Sequence, residues 1–105
     1  MATIAIEIDK DRLRDFCRRW KITEFALFGS VTRPDEFRAD SDVDVLARFE
    51  PDAPWTLFDW VHMEDELASI FGRHVDLVER EAVETSTNRF RKRSILESVV
   101  ELDVA

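Results

Sequence analysis

At 105 residues and 12.3 kDa the chain has material for one domain around one hydrophobic core, which excludes a large multidomain enzyme. Hydrophobic residues (45%) and charged residues (36%) give a core under a solvated surface rather than disorder, and no run approaches the roughly 18 to 20 apolar residues of a membrane helix. A net charge of -8 disfavours a long nucleic acid as partner, while the single Cys17 and a start with Glu7, Asp9 and Asp11 in place of a secretory signal point to the reducing cytoplasm.

In chain order, Ile4, Ile6 and Ile8 alternate with Thr3, Ala5 and Glu7, the pattern of a short strand or an extended lead-in. Asp9 then suits the N-cap of a helix whose apolar face is Leu13, Phe16, Cys17 and Trp20. Phe25, Ala26, Leu27 and Phe28 form a short apolar run stopped by Gly29, which predicts a buried strand ending in a Gly29-Ser30 turn. Residues 31–41, with Pro34 and five charged side chains, read as an irregular connection that opens on a helical turn after Ser30.

From Asp42, the alternation of Val43, Val45, Ala47 and Phe49 with Asp42, Asp44, Leu46 and Arg48 predicts a second strand. After the loop from Glu50 to Trp55, Thr56 caps a predicted helix that runs to about Phe71 and stops at Gly72. Its stripe is Leu57, Trp60, Val61, Glu64, Leu67, Ala68 and Phe71, apolar except for Glu64. Val75 to Val78 predict a third strand, and a last helix is expected from about Thr87 through Ile95, Leu96 and Val99. This order gives an α+β fold, a small mixed sheet with helices packed on it, and places functional residues at strand ends and turns.

Asp42 and Asp44, two apart on a strand, leave the same face with Cα atoms about 6.6 Å apart. Parallel carboxylates repel, and a hard cation such as Mg²⁺, which takes oxygen ligands together with phosphates, would neutralise them. Asp76, between Val75 and Leu77 on a neighbouring predicted strand, is a third carboxylate able to converge. With two ions, such a triad suits phosphoryl or nucleotidyl transfer. The Gly29-Ser30 turn adds close backbone approach, amides for a phosphate and a hydroxyl.

Gly29-Ser30 with Arg33, followed by Ser41-Asp42-Val43-Asp44, resembles the signature of the DNA polymerase beta superfamily of nucleotidyltransferases. Phe28-Gly29-Ser30, Ser41 to Leu46, Leu57-Phe58-Asp59 and Gly72 to Val78 are similar to the minimal nucleotidyltransferase (MNT) antitoxins paired with HEPN toxins, a likeness spanning nearly the whole chain. The resemblance implies a nucleotidyltransferase fold in which Asp42 and Asp44 bind two Mg²⁺ ions. Asp76 would complete the catalytic metal site and assist deprotonation of the acceptor hydroxyl, while Ser30 and the Gly29 backbone hold the triphosphate beside Arg33 and Ser41. It also implies ATP as donor and a HEPN-type toxin as partner, its tyrosine receiving AMP in a type VII-like toxin-antitoxin pair. A Gly commonly follows the motif arginine, whereas Pro34 follows Arg33 here, so a different loop shape is expected.

Two rival functions stand beside this one: an antitoxin that neutralises by occlusion without catalysis, and a nucleotidyltransferase for a small-molecule hydroxyl. The chain contains no Tyr, so a tyrosine acceptor lies on another molecule, and 105 residues are expected to be consumed by the catalytic core. A homo-oligomer is left open. Residues 35–66 hold eleven Asp/Glu against Arg38 and Arg48 alone, whereas Arg89, Arg91, Lys92 and Arg93 form a small basic face. That face fits a solvated helix side, or attraction of triphosphate or toxin. Cys17 reads as a core thiol, His62 and His74 as surface or site-neighbouring groups, and Trp20 and Trp60 as core. Trp55 fits a partner anchor and a loop-to-core plug equally.

Overall fold

In the computed structural model, which describes residues 6–104, one mixed sheet carries helices on both faces. The elements run α1 (Lys10–Arg19), β1 (Ile22–Phe28), a 3-10 turn (Gly29–Thr32), β2 (Val43–Phe49), α2 (Leu57–Phe71), β3 (Val75–Glu79), α3 (Arg80–Glu84), α4 (Arg89–Glu97) and β4 (Val100–Leu102). The strand order is β3-β2-β1-β4, with β1 antiparallel to β2 and β4 and β2 parallel to β3. This is the α+β arrangement expected from the sequence. Among the described residues no helix is long and apolar enough to cross a membrane.

Alternation along the strands sorts the core into two layers. Phe25, Leu27, Val43, Val45, Val75 and Leu77 face Leu13, Phe16 and Cys17 of α1 and Met63, Leu67 and Phe71 of α2. Ala26, Phe28 and Leu46 face Val83 of α3 and Ile95 of α4 on the other side. At the far end of that second layer Arg48 is hydrogen-bonded to both oxygens of Glu84 at 2.7 and 2.6 Å and also pairs with Glu24. Asp9 caps α1 by accepting from the Arg12 N–H at 3.2 Å, as predicted. Cys17 is buried, and desolvation pushes its thiol pKa up to about 12, leaving it an inert core group.

The ends of α2 are also as read: Thr56 and Asp59 form a reciprocal capping box, and Gly72 closes the helix at φ +74°. Its buried stripe is not. Leu57 and Val61 are 85% and 54% exposed, and Met63 is buried instead. The buried arc is centred on Leu67 and takes in Met63, so at about 100° per residue Leu57 and Val61 fall roughly 80° and 120° off its centre. Glu64, the polar exception, supports the sheet. Its Oε2 accepts the N–H of Leu77 at 3.0 Å, satisfying a donor on β3, the edge strand. Glu64→Ala is expected to cost about 1–2 kcal/mol in urea unfolding by orphaning that amide.

Of three further readings, two resolve between stated alternatives and one changes. Ile6 lies in a bend and residues 7–9 are irregular, which leaves the extended lead-in and not a strand, while Ile4 lies outside the described residues. The last helix is shorter than expected: Asn88 caps α4 by accepting from the Arg91 N–H at 3.1 Å, the helix ends before Val99, and α3 before it and β4 after it are elements the sequence reading lacked. Trp55 is the core plug of its two readings. Its Nε1 donates to the Trp20 carbonyl at 2.9 Å and its ring meets Trp20 edge-on at 5.0 Å.

Candidate active site

Because β1 runs against β2 while β3 runs with it, the end of β1 and the starts of β2 and β3 meet at one end of the sheet. Phe28 pairs with Asp44, and Asp44 pairs with Asp76. In-register neighbours on adjacent strands share a face about 4.8 Å apart, so Asp44 and Asp76 stand side by side on the face of Phe28 and Leu46. Asp42 precedes β2 by one residue, and its Oδ2 lies 3.4 Å from His74 Nδ1. The structure therefore brings all three carboxylates to one end of the sheet, with Asp44 and Asp76 on one face.

Their electrostatics follow from that placement. Burial raises the pKa of Asp44 above the ordinary carboxylate range, the negative charges of Asp76 and then Asp42 raise it further, and Arg33 partly offsets them. Gly29, at φ +75°, brings its backbone so close that a Cβ there would lie 2.2 Å from Asp44 Oδ2. Only glycine combines this left-handed turn with that approach. Among the described residues no three His, Cys, Asp or Glu side chains are disposed to hold a metal ion unaided. The all-oxygen donor set nevertheless fits Mg²⁺, which takes one or two protein carboxylates and completes its shell with water and substrate phosphates.

The four residues expected at the nucleotide divide. Ser30 and Arg33 lie on the 3-10 turn and its cap, and Pro34 forces the turn to end, since the residue before proline leaves the helical region: Arg33 has φ -126° and ψ +85°. The Arg33 Nε pairs with Glu36. The Gly29 N–H, expected to face phosphate, instead donates to Ser98 Oγ at 3.2 Å, and Ser98 in turn donates to the carbonyls of Ser94 and Ile95 at 3.2 and 3.1 Å. The Gly29 amide is thus already engaged by the end of α4. Ser41 Oγ accepts the Arg38 N–H at 2.9 Å and so shapes the loop that delivers Asp42.

Two residues outside the predicted set help hold this site. Ser98 ties α4 to the Gly29 turn, a long-range contact with no local signal in the sequence. Arg73 donates from Nη1 to the carbonyls of Arg38 and Ser41 at 3.1 and 3.0 Å, and its guanidinium lies 4.5 Å above the Phe37 ring, stapling the loop immediately before Asp42. Its place between Gly72 and His74 was the only hint.

Known proteins share this fold. A family model described as a nucleotidyltransferase domain matches residues 10–102. The protein adenylyltransferase MntA of Thermococcus cleftensis is 33% identical over 87 residues, covering 83% of this chain and 82% of the relative. Among solved structures, a minimal nucleotidyltransferase superposes with TM-score 0.66 at 29% identity, covering 89% of this chain and 88% of the other. At the level of the fold alone, a toxin-antitoxin with AMP-PNP matches with TM-score 0.64 at 18% identity, covering 90% and 72%. A tri-AMPylated Shewanella oneidensis HEPN toxin in complex with MNT antitoxin matches with TM-score 0.56 at 16% identity, covering 88% and 66%. With a family match across nine-tenths of its length and carboxylates where strand pairing converges, the chain belongs to the nucleotidyltransferase domain family.

Proposed function

We propose that the chain is a Mg²⁺-dependent protein adenylyltransferase that moves AMP from ATP to a tyrosine hydroxyl of a HEPN-type toxin and so acts as the antitoxin of a type VII-like pair. One observation carries this reading: Asp44 and Asp76 pair in register, with Asp42 beside them and Gly29 against the Asp44 carboxylate. The MntA relative and the complex of HEPN toxin with MNT antitoxin support the choice of acceptor class. These 105 residues contain no Tyr, so a tyrosine acceptor has to come from outside them.

Bound Mg²⁺ would supply charge neutralisation at the α-phosphate and a lowered pKa for the attacking hydroxyl. Asp42 and Asp44 would hold the ions, and Asp76 would take the acceptor proton on a carboxylate oxygen. The acceptor oxygen bonds to the α-phosphorus while the bond to the bridging oxygen of the β-phosphate breaks, releasing pyrophosphate. Ser30 and the turn amides beyond Gly29 would orient the triphosphate, and Arg73 would keep Asp42 in place by fixing its loop. Catalysis of this type is positioning and charge stabilisation.

The test is to make the chain together with a HEPN partner and weigh the partner. A mass gain in whole multiples of AMP, carried on a tyrosine, is the expected result. A neutralised partner of unchanged mass would instead identify an occluding binder, and transfer to a small hydroxyl compound with no partner present would identify the third class.

A further inference from the structure

Phe90 lies in the first turn of α4 and is 90% exposed, with Arg89 and Arg91 on either side of it in the chain. At about 100° per residue it points roughly 140° away from Ile95, the residue that α4 buries, so the helix cannot cover it. The side chains of Arg89 and Arg91 make no hydrogen bond or ion pair among the described residues. A large apolar ring between two free guanidiniums is thus held out into solvent.

At the opposite end of the sheet, where β2 and β3 finish in Phe49 and Glu79, lies a cleft of about 350 Å³. Phe49, Trp55 and Trp60 line it, the Phe49 and Trp60 rings 5.6 Å apart, and the exposed Leu57 belongs to the same lining. Phe58 and Val61, also exposed, extend the apolar surface along the first turns of α2. The charge here is acidic. Glu50, Glu79 and Glu81 line the cleft with side chains unpaired among the described residues, while Arg48, the one cation in that lining, is committed to Glu24 and Glu84. Contiguous exposed apolar surface rimmed by polar groups marks a site of association.

We propose that this cleft receives Phe90 of a second copy of the chain, with Arg89 and Arg91 meeting the glutamates. Complementarity is the first argument. An aromatic floor under free carboxylates matches a phenyl ring between free guanidiniums in both polarity and sign, and arginine also packs on aromatic faces. Separation within one molecule is the second. Phe90 lines a cleft with Thr32 and Arg33, beside the turn at the carboxylate end of the sheet, so the two features of one chain stand at opposite ends and meet only between two chains. The third is repulsion in the alternatives. In a chain of net charge -8, laying the α2 surface on its own copy would oppose acid to acid, and laying α4 on α4 would oppose arginine to arginine. The split between the acidic segment 35–66 and the basic run from Arg89 to Arg93 thereby gains a use. The proposal is independent of nucleotidyl transfer.

Analytical ultracentrifugation from micromolar to millimolar protein, at low ionic strength where charges are least screened, tests it. The wild type should associate. Phe90→Ser, and separately Glu79→Lys combined with Glu81→Lys, should each weaken association at least about tenfold. The Phe90→Ser chain keeps its cleft and the lysine variant keeps its Phe90, so a mixture should form one-to-one pairs that neither makes alone, which also shows that both are folded. Arg89→Glu combined with Arg91→Glu leaves Phe90 in place and should weaken self-association similarly, yet pair with the lysine variant through the reversed charges. A wild type that stays monomeric throughout, association unaffected by these variants, or failure of both mixtures to pair while each variant melts as cooperatively as the wild type overturns the proposal.

Discussion

Replacing Asp42 and Asp44 together by asparagine is expected to lower AMP transfer by at least about 10²–10³-fold while leaving the chain folded and, without divalent cation, more heat-stable than the wild type. The first effect follows from loss of the groups that would hold the metal ions, the second from electrostatics. The Asp44 carboxylate is half-buried against Gly29 and faces the charges of Asp76 and Asp42, which raises its pKa in the folded state. The native state therefore holds that proton more tightly than the unfolded chain does. The associated stability is fully present below the unfolded carboxyl pKa and is lost as pH climbs through the raised native value. At neutral pH the wild type carries that loss and the amide variant does not.

Melting curves should accordingly separate by a few degrees (~2–5 °C) at pH 7 and converge on acidification. Added Mg²⁺ should raise the wild-type Tm and leave the variant unmoved, because a ligand stabilises only the state that binds it. Undiminished transfer by the folded double variant would remove these carboxylates from the chemistry. An unchanged Tm difference across the acid range would remove the repulsion argument and leave the catalytic one intact.

The parts of this site that were legible in the sequence are those whose signals are local. Alternation from Val43 to Phe49 set the face of Asp44, the apolar run ending at Gly29 set the turn, and Thr56 and Gly72 marked the ends of α2. The in-register meeting of Asp44 and Asp76 followed once their strands became neighbours.

What escaped depends on partners distant in the chain. β4 is three residues long, and its alternation of Val100 and Leu102 around Glu101 is too short to distinguish from a helix tail without β1 beside it. The bond from the Gly29 amide to Ser98 has no local signal, because the two residues are 69 apart in the chain. The stripe on α2 failed for another reason: seven positions spaced three and four apart fit an arc too wide to be buried, and only packing reveals that its centre is Leu67.

Gly29→Ala carries the other large expected effect, and Gly72→Ala is its internal control. Both glycines hold a left-handed conformation, at φ +75° and +74°, so a side chain at either should cost about 1 kcal/mol or more in backbone strain. They differ in what the new methyl meets. At Gly72 there is no atom within 4 Å, whereas at Gly29 the Cβ would sit 2.2 Å from Asp44 Oδ2. A carboxylate can rotate out of the way cheaply, so the two variants should lose similar stability by urea unfolding. That rotation takes the oxygen from its place beside Asp76, and displacement by about an ångström costs on the order of 10²-fold in a positioned reaction. Transfer should therefore collapse in Gly29→Ala and survive in Gly72→Ala when both are assayed well below their unfolding temperatures. Equal activity in the two would mean that the approach of Gly29 to Asp44 is a packing detail with no part in catalysis.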